Sequence, residues 1–284
     1  MSTEYEYDEN GNLTKDLNKN ITAIQYNCLN LPSRVMFANG NSISYLYDAA
    51  GRKLRTVHVL EGDSVTTDYC GNVVYENGVP QILLTEVGYV SLTDGKYHYY
   101  LKDHQGNNRV VVDEEGTVEE VNHYYPFGGV FSSTGDAQPY KYNGKELDRK
   151  GGLDWYDYGA RMYDAALGRF MKTDRFSEKY VSLSPYQYGA NNPVNNIDVN
   201  GDNVYVSGEF SGGRKFNDIA VGEFDSPQEF LNSPYNSYGA SDDMSINTYG
   251  FSEGYMIPTS KEQDDIIRAV SYTHLRAHET VLDL

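Results

Sequence analysis

The chain has 284 residues, 39% of them hydrophobic, with 27 tyrosines against 10 phenylalanines and a formal net charge of −18. Tyrosine in such excess suits pleated surfaces on which the ring packs and the hydroxyl stays wet, so the composition favours thin, extensive β structure over a thick dry core. The acidity argues against a binder of nucleic-acid backbone, which needs clustered Lys and Arg. Two cysteines, Cys28 and Cys70, are too few for a disulfide framework or a closed four-ligand zinc site. No apolar run approaches the length of a membrane span, and the first residues lack the charged-then-apolar pattern of a signal peptide.

Along the chain an aromatic-flanked Asp-x-x-Gly recurs, beginning at Asp8-Glu-Asn-Gly11 and Asp48-Ala-Ala-Gly51. Asp at the first turn position bonds its own backbone two residues on, and Gly at the fourth takes the left-handed conformation. These two copies lie 40 residues apart, with a half-step at Tyr26-Asn27, so the unit is about 20 residues and residues 1–60 hold three hairpins. From 61 to 124 further hairpins are expected, turning at Asn77-Gly78, Asp94-Gly95, Asp103-His-Gln-Gly106 and Asp113-Glu-Glu-Gly116. The strand-like runs flanking Asp113 and Gly116 give each unit the form of a hairpin with a Gly bulge. Residues 125–139 read as a turn-rich connection. Asp148-Arg-Lys-Gly151 is a fifth copy. Residues 153–163 alternate as one strand, with Tyr156, Tyr158, Ala160 and Met162 on one face and Trp155, Asp157, Arg161 and Tyr163 on the other. The sixth copy is Asp198-Val-Asn-Gly201. Beyond it the composition shifts to Gly, Ser and Asn, with capping boxes at Ser226–Glu229 and Ser260–Gln263.

The motifs at 99–201 carry a resemblance. Tyr99-Tyr-Leu-Lys-Asp103-His104-Gln-Gly106, Tyr125-Pro126-Phe127-Gly128, Tyr156-Asp-Tyr-Gly159-Ala-Arg161-Met-Tyr163-Asp164, Leu167-Gly168-Arg169-Phe170 and Asn191-Asn192-Pro193-Val194 through Asp198 resemble the Rhs-repeat-associated core domain, in a spelling like that of Bacteroidetes members. The Tyr-Asp units before them resemble the YD repeats that precede this core. The resemblance covers roughly residues 1–201.

It implies a mainly β fold: repeated hairpins forming part of a curled sheet or shell, with a small mixed C-terminal segment. The expected organisation is YD-repeat hairpins at 1–60, further Rhs-type hairpins at 61–124, the core at 125–201, and the truncated start of a variable, toxin-like payload at 202–270. Residues 271–284 resemble a translated sequencing adapter, which would place the natural terminus elsewhere. The implied partners are the rest of the shell, its payload, a secretion apparatus and an immunity protein. The implied location is secreted or at the cell surface. No cofactor is called for.

Some relatives cut themselves once, just after the core, by aspartyl-type autoproteolysis. By family position the implied pair is Asp174 and Asp198, with Arg169 as charge partner. The family's closing motif is commonly Asp-Pro-x-Gly, whereas here it reads Asp198-Val199-Asn200-Gly201, and the Asp-Pro that usually follows the Gly-Arg-Phe motif is Asp174-Arg175. The plain reading of both aspartates is as turn and capping residues. His98, His104 and His123 fit no metal-ligand spacing and read as structural or solvent-facing. Trp155 and the tyrosine rows would stack on a sugar if exposed, making the chain an adhesin, but period-2 placement favours packing between strands. An incomplete strip also leaves edge strands unpaired.

Overall fold

The computed structural model describes residues 3–202 and, beyond them, short strand segments at 204–206, 209–210, 214–215, 250–252 and 255–257. The turns follow from local chemistry. Asp8 Oδ1 accepts from the backbone N–H of Asn10 (2.9 Å) and Asn12 (2.8 Å), and its carbonyl accepts from Gly11 (3.0 Å). Asp48, Asp103 and Asp113 repeat all three bonds. Asn27 does the same at the half-step, with Asn30 at φ 54° standing where the others have glycine. Next to these turns the strand register slips, as where Glu6 faces Lys15 but Tyr7 faces Leu13. The same slip recurs at Gln25/Tyr26, Leu46/Tyr47, Leu101/Lys102 and Val111/Val112. Each is the extra residue of a β-bulge.

The strands are β1 (Tyr5–Tyr7), β2 (Leu13–Asp16), β3 (Ile21–Tyr26), β4 (Pro32–Phe37), β5 (Ser42–Tyr47), β6 (Lys53–Leu60), β7 (Asp63–Cys70), β8 (Val73–Glu76), β9 (Val79–Leu84), β10 (Gly88–Ser91), β11 (Tyr97–Lys102), β12 (Asn108–Asp113), β13 (Val118–Tyr124) and β14 (Val130–Thr134). They pair in chain order as one antiparallel sheet, so β1 and β14 are its edges. The sheet continues through residues 60 and 124. β14 lies inside the stretch expected to be a connection, because Tyr125-Pro-Phe-Gly128 closes another hairpin: Tyr125 N–H donates to Gly129 (2.8 Å), and Gly128 at φ 86° donates back to Tyr125 (2.8 Å). Asn77 and Gly78 both have positive φ, the mark of a two-residue type I′ turn. Asp94-Gly95 belongs to a longer loop closed by Gly95 N–H on Ser91 (2.8 Å).

A second sheet follows, β15 (Glu146–Asp148), β16 (Trp155–Asp157), β17 (Met162–Asp164) and β18 (Arg169–Phe170), again in chain order. The single strand expected over 153–163 is thus a hairpin. Asp157 Oδ1 accepts from Gly159 N–H (2.7 Å), Gly159 sits at φ 87°, and Tyr158 N–H donates to Arg161 (3.1 Å). The turn exchanges the faces of Met162 and Tyr163. Tyr156 pairs with both Leu147 and Tyr163, and Tyr163 with Phe170, so those four form one stripe across the sheet. Trp155 and Met162 face the other way.

Both faces are buried. Trp155, Met162, Leu153 and Met171 pack on Leu13, Ile21, Ile24, Val35, Phe37, Ile43 and Tyr45 of the repeats. The opposite stripe joins Tyr124, Tyr142, Tyr158 and Tyr188 in an aromatic cluster, with ring centroids of Tyr163 and Tyr188 at 4.5 Å. The chain then forms β19 (Asn196–Asp198), which pairs with β20 (Val204–Val206). These elements belong to one compact unit spanning residues 1–208 and 215–229. A second unit holds 209–214 and 230–284, in which Gly250–Ser252 pairs antiparallel with Tyr255–Ile257. Both expected capping boxes and residues 271–284 lie outside the described residues. Among the described residues no helix is long and apolar enough to cross a membrane.

Candidate functional site

The sixth Asp-x-x-Gly differs from the hairpin turns. Gly201 N–H donates to the side chain of Asp198 (Oδ1, 2.6 Å), not to its carbonyl, and Asn200 N–H donates to the same oxygen (3.2 Å). Ala160 N–H donates to the Asn200 carbonyl (3.0 Å), which clamps this loop onto the β16–β17 turn. The clamp demands glycine: a Cβ on Gly201 would lie 2.9 Å from the Arg161 nitrogen, and φ there is 81°.

Clamping buries Asp198 completely and brings it to Arg161. The guanidinium Nη2 lies 3.0 Å from Asp174 Oδ2 and 3.4 Å from Asp198 Oδ2. Nη1 donates to the Pro185 carbonyl (3.1 Å), and Nε donates to the carbonyl of Gly201. The cation also lies 3.8 Å over the ring of Phe170. Asp174 follows β18, where its Oδ1 accepts from Phe176 N–H (2.7 Å) and its own N–H donates to Pro185 (2.9 Å). All three residues are nearly inaccessible, at 0–4%.

Two carboxylates around one cation in a dry site leave a surplus negative charge, which favours holding a proton. Burial pushes Asp198 up to about 6, against the opposing pull of Arg161 and the Gly201 N–H, and Asp174 raises it further. Burial raises Asp174 as well. Around pH 6 the pair can therefore hold one carboxylic acid beside one carboxylate. That is the arrangement general acid–base hydrolysis uses. The Arg161 Nε–H supplies a positive donor on a peptide carbonyl, the geometry that stabilises a developing oxyanion.

The structure thus brings Asp174 and Asp198 together and leaves Arg169 elsewhere. Arg169 immediately precedes Phe170 on β18, and neighbours on a strand face opposite ways. Phe170 points to the Arg161 side, so Arg169 points to β1. There its guanidinium lies between the rings of Tyr7 (5.6 Å) and Tyr186 (5.0 Å) and donates to the Tyr7 hydroxyl. The cation between the aspartates is Arg161. One signal for it was available: an arginine inside a stretch of aromatic residues destined for burial requires carboxylate partners.

Other candidates are dispersed. His98 stacks on Tyr89 at 4.4 Å and meets Glu119 at 2.5 Å, His104 reaches the Val194 carbonyl, and His123 lies beside Phe131. Among the described residues no group of three His, Cys, Asp or Glu is placed to hold a metal. Cys28 and Cys70 are free and exposed. Trp155 is 1% exposed and offers no face to a sugar.

No family model matches the chain. Salivary gland surface protein 1 of Aedes aegypti is 31% identical over 223 residues, 69% of this chain and 6% of that protein. The tRNA nuclease WapA of Bacillus subtilis is 26% identical over 230 residues, 70% of this chain and 9% of that one. The solved TcdB2-TccC3-Cdc42 structure superposes with a TM-score of 0.59 at 20% identity, covering 69% of this chain and 11% of that one. The Tc holotoxin pore of Photorhabdus luminescens does so at 0.59 and 18% identity, covering 76% and 11%. The chain spans less than a tenth of the curated relatives it matches. Its fold, a long antiparallel sheet of consecutive hairpins, is the one it shares with these Tc toxin chains.

Proposed function

We propose that this chain is the closing end of an Rhs-type shell, a structural and delivery scaffold that presents a C-terminal toxin-like payload. We infer that its paired aspartates cut the chain once, at the seam between scaffold and payload. The observation that carries the reading is the Arg161 bridge. It binds both carboxylates and the carbonyl of Gly201, the glycine of the sixth Asp-x-x-Gly.

The bond that this geometry favours is Gly201–Asp202. Ionised Asp174 takes a proton from a water that attacks the Gly201 carbonyl carbon. Arg161 Nε–H stabilises the oxyanion, and protonated Asp198 gives its proton to the departing Asp202 nitrogen. The products are a Gly201 carboxylate and a new amino terminus at Asp202. The assignment of acid and base follows the higher proton affinity of Asp198. No cofactor enters. Each molecule turns over once, because the substrate is its own chain.

Likeness to Tc toxin chains and to a tRNA nuclease supports the delivery role, with the remaining shell, the payload, an immunity protein and a secretion apparatus as partners, and a secreted or surface location. The test uses the complete gene product. Enclosure predicts that added protease leaves the payload intact until the shell is denatured. A payload digested as fast in the intact protein as in isolation would refute enclosure. The adhesin alternative predicts specific glycan binding by residues 1–201, readable on a glycan array.

A further inference from the structure

A cavity of about 660 Å³ lies where the first hairpin turns meet the core. Its wall includes Asn12 and Asn30 from those turns, Arg161 and Arg175 from the core, and Lys172. The volume falls in the range of small-molecule sites. Four of the five basic residues around it hold carboxylates: Arg52 on Asp48, Lys53 on Glu146 and Asp157, Arg161 on the aspartate pair, and Arg175 on Asp202. Among the described residues Lys172 holds none, and the one hydrogen-bonding group its ammonium reaches there is the Leu29 carbonyl at 3.5 Å.

We propose that Lys172 is a reactive amine that takes a small aldehyde or ketone as a Schiff base within this cavity. In the step, the amine lone pair attacks the carbonyl carbon to form a carbinolamine. Loss of water then leaves the C=N bond, and no redox partner is needed. The Asn12 and Asn30 amides and the Arg175 guanidinium give a polar carbonyl compound hydrogen-bonding partners on the wall.

The amine's environment supports this chemistry. Desolvation and the nearby Arg161 and Arg175 charges lower Lys172 to about 8, while Asp202 and Asp174 oppose them from a greater distance than an ion pair. A lysine desolvated beside other cations is the usual activated amine nucleophile. Lys102 and Lys145 are also lowered, but each ammonium is covered by a tyrosine ring, Tyr100 at 5.6 Å and Tyr158 at 5.3 Å.

The test treats the whole chain with pyridoxal at pH 7.5, traps imines with borohydride and maps the adducts by mass spectrometry. Lys172 is expected to label at least about tenfold faster than the exposed lysines, whose ordinary pKa near 10.4 leaves them almost fully protonated. Lys172→Arg should remove that adduct and leave the far-UV spectrum unchanged. Asn30→Asp, which keeps the acceptor for Asn10 and Asn12 and tolerates the left-handed backbone, adds a carboxylate to the wall. It should slow labelling of Lys172 about tenfold. Adducts spread over the lysines according to exposure, or labelling of Lys172 at an undiminished rate in Asn30→Asp, would overturn the proposal.

Discussion

The buried aspartate makes a specific prediction about stability and pH. Asp198 is fully buried, and its pKa rises from 3.8 to about 6 on folding. The folded protein therefore binds this proton more tightly than the unfolded chain does. The resulting stabilisation is complete below pH 3.8, decays between 3.8 and 6, and is gone above 6. A rise of that size corresponds to about 3 kcal/mol across the window, or about 1.4 kcal/mol per pH unit. Asp174 is raised too and contributes with the same sign. Asp198→Asn keeps the acceptor for Gly201 and Asn200 N–H and cannot ionise. Urea unfolding of wild type and variant at half-unit steps from pH 4.5 to 7.5 reads the proton held by the coupled Asp198–Asp174 pair, because titrating groups remote from Arg161 cancel in the difference. The wild type should lose stability relative to Asp198→Asn as pH rises, then run parallel above pH 6.5. Parallel profiles throughout would refute the buried, proton-holding aspartate.

Removing the bridging cation should strand two buried carboxylates, so Arg161→Met is expected to cost about 3–5 kcal/mol in urea unfolding at pH 7. The same measurement on Arg169→Met should show about 1 kcal/mol, since that half-buried cation contacts tyrosine rings and a hydroxyl and holds no carboxylate among the described residues. Gly201→Ala forces a Cβ toward the Arg161 nitrogen at a left-handed position and should cost about 1–3 kcal/mol, read as a lowered thermal midpoint. Trp155→Ala should cost about 3–5 kcal/mol by opening a cavity between the second sheet and the repeats.

The parts of this fold that were legible in the sequence are those fixed within four residues. Asp8, Asp48, Asp103 and Asp113 bond their own turns, and Asn27 with Asn30 can be recognised at the half-step because the same short-range chemistry operates. The hairpin inside residues 153–163 was hidden because Asp157-Tyr-Gly159-Ala leaves the period-2 alternation unbroken in the sequence while the backbone reverses. Asp148 has the turn spelling but is used over a long range, where it meets His58 Nε2 at 2.8 Å. Its turn bond goes to Lys150 N–H (3.1 Å), and Gly152 closes on Arg149 instead.

Within the site, Asp174 and Asp198 could be paired by resemblance to a family. Their cation could not, because strand parity decides it. Arg169 and Phe170 take opposite faces, and the hairpin turn carries Arg161 into the interior. Such parity depends on where turns fall, which single-sequence alternation does not reveal. Gly201 was identifiable as a turn glycine, but its close approach to the Arg161 nitrogen is a tertiary fact.

The proposed cut at the seam rests on the Arg161-bridged aspartates. Its most direct test is intact-mass analysis, with sequencing of any new amino terminus, on the 284-residue chain after incubation between pH 5 and 7. The wild type should yield a fragment ending at Gly201 and a new terminus at Asp202. Asp198→Asn and Asp174→Asn should each show a single uncleaved mass, and Arg169→Lys should cleave as the wild type does. A wild-type chain that stays intact, or one cut equally well in both aspartate variants, would contradict the proposed cut.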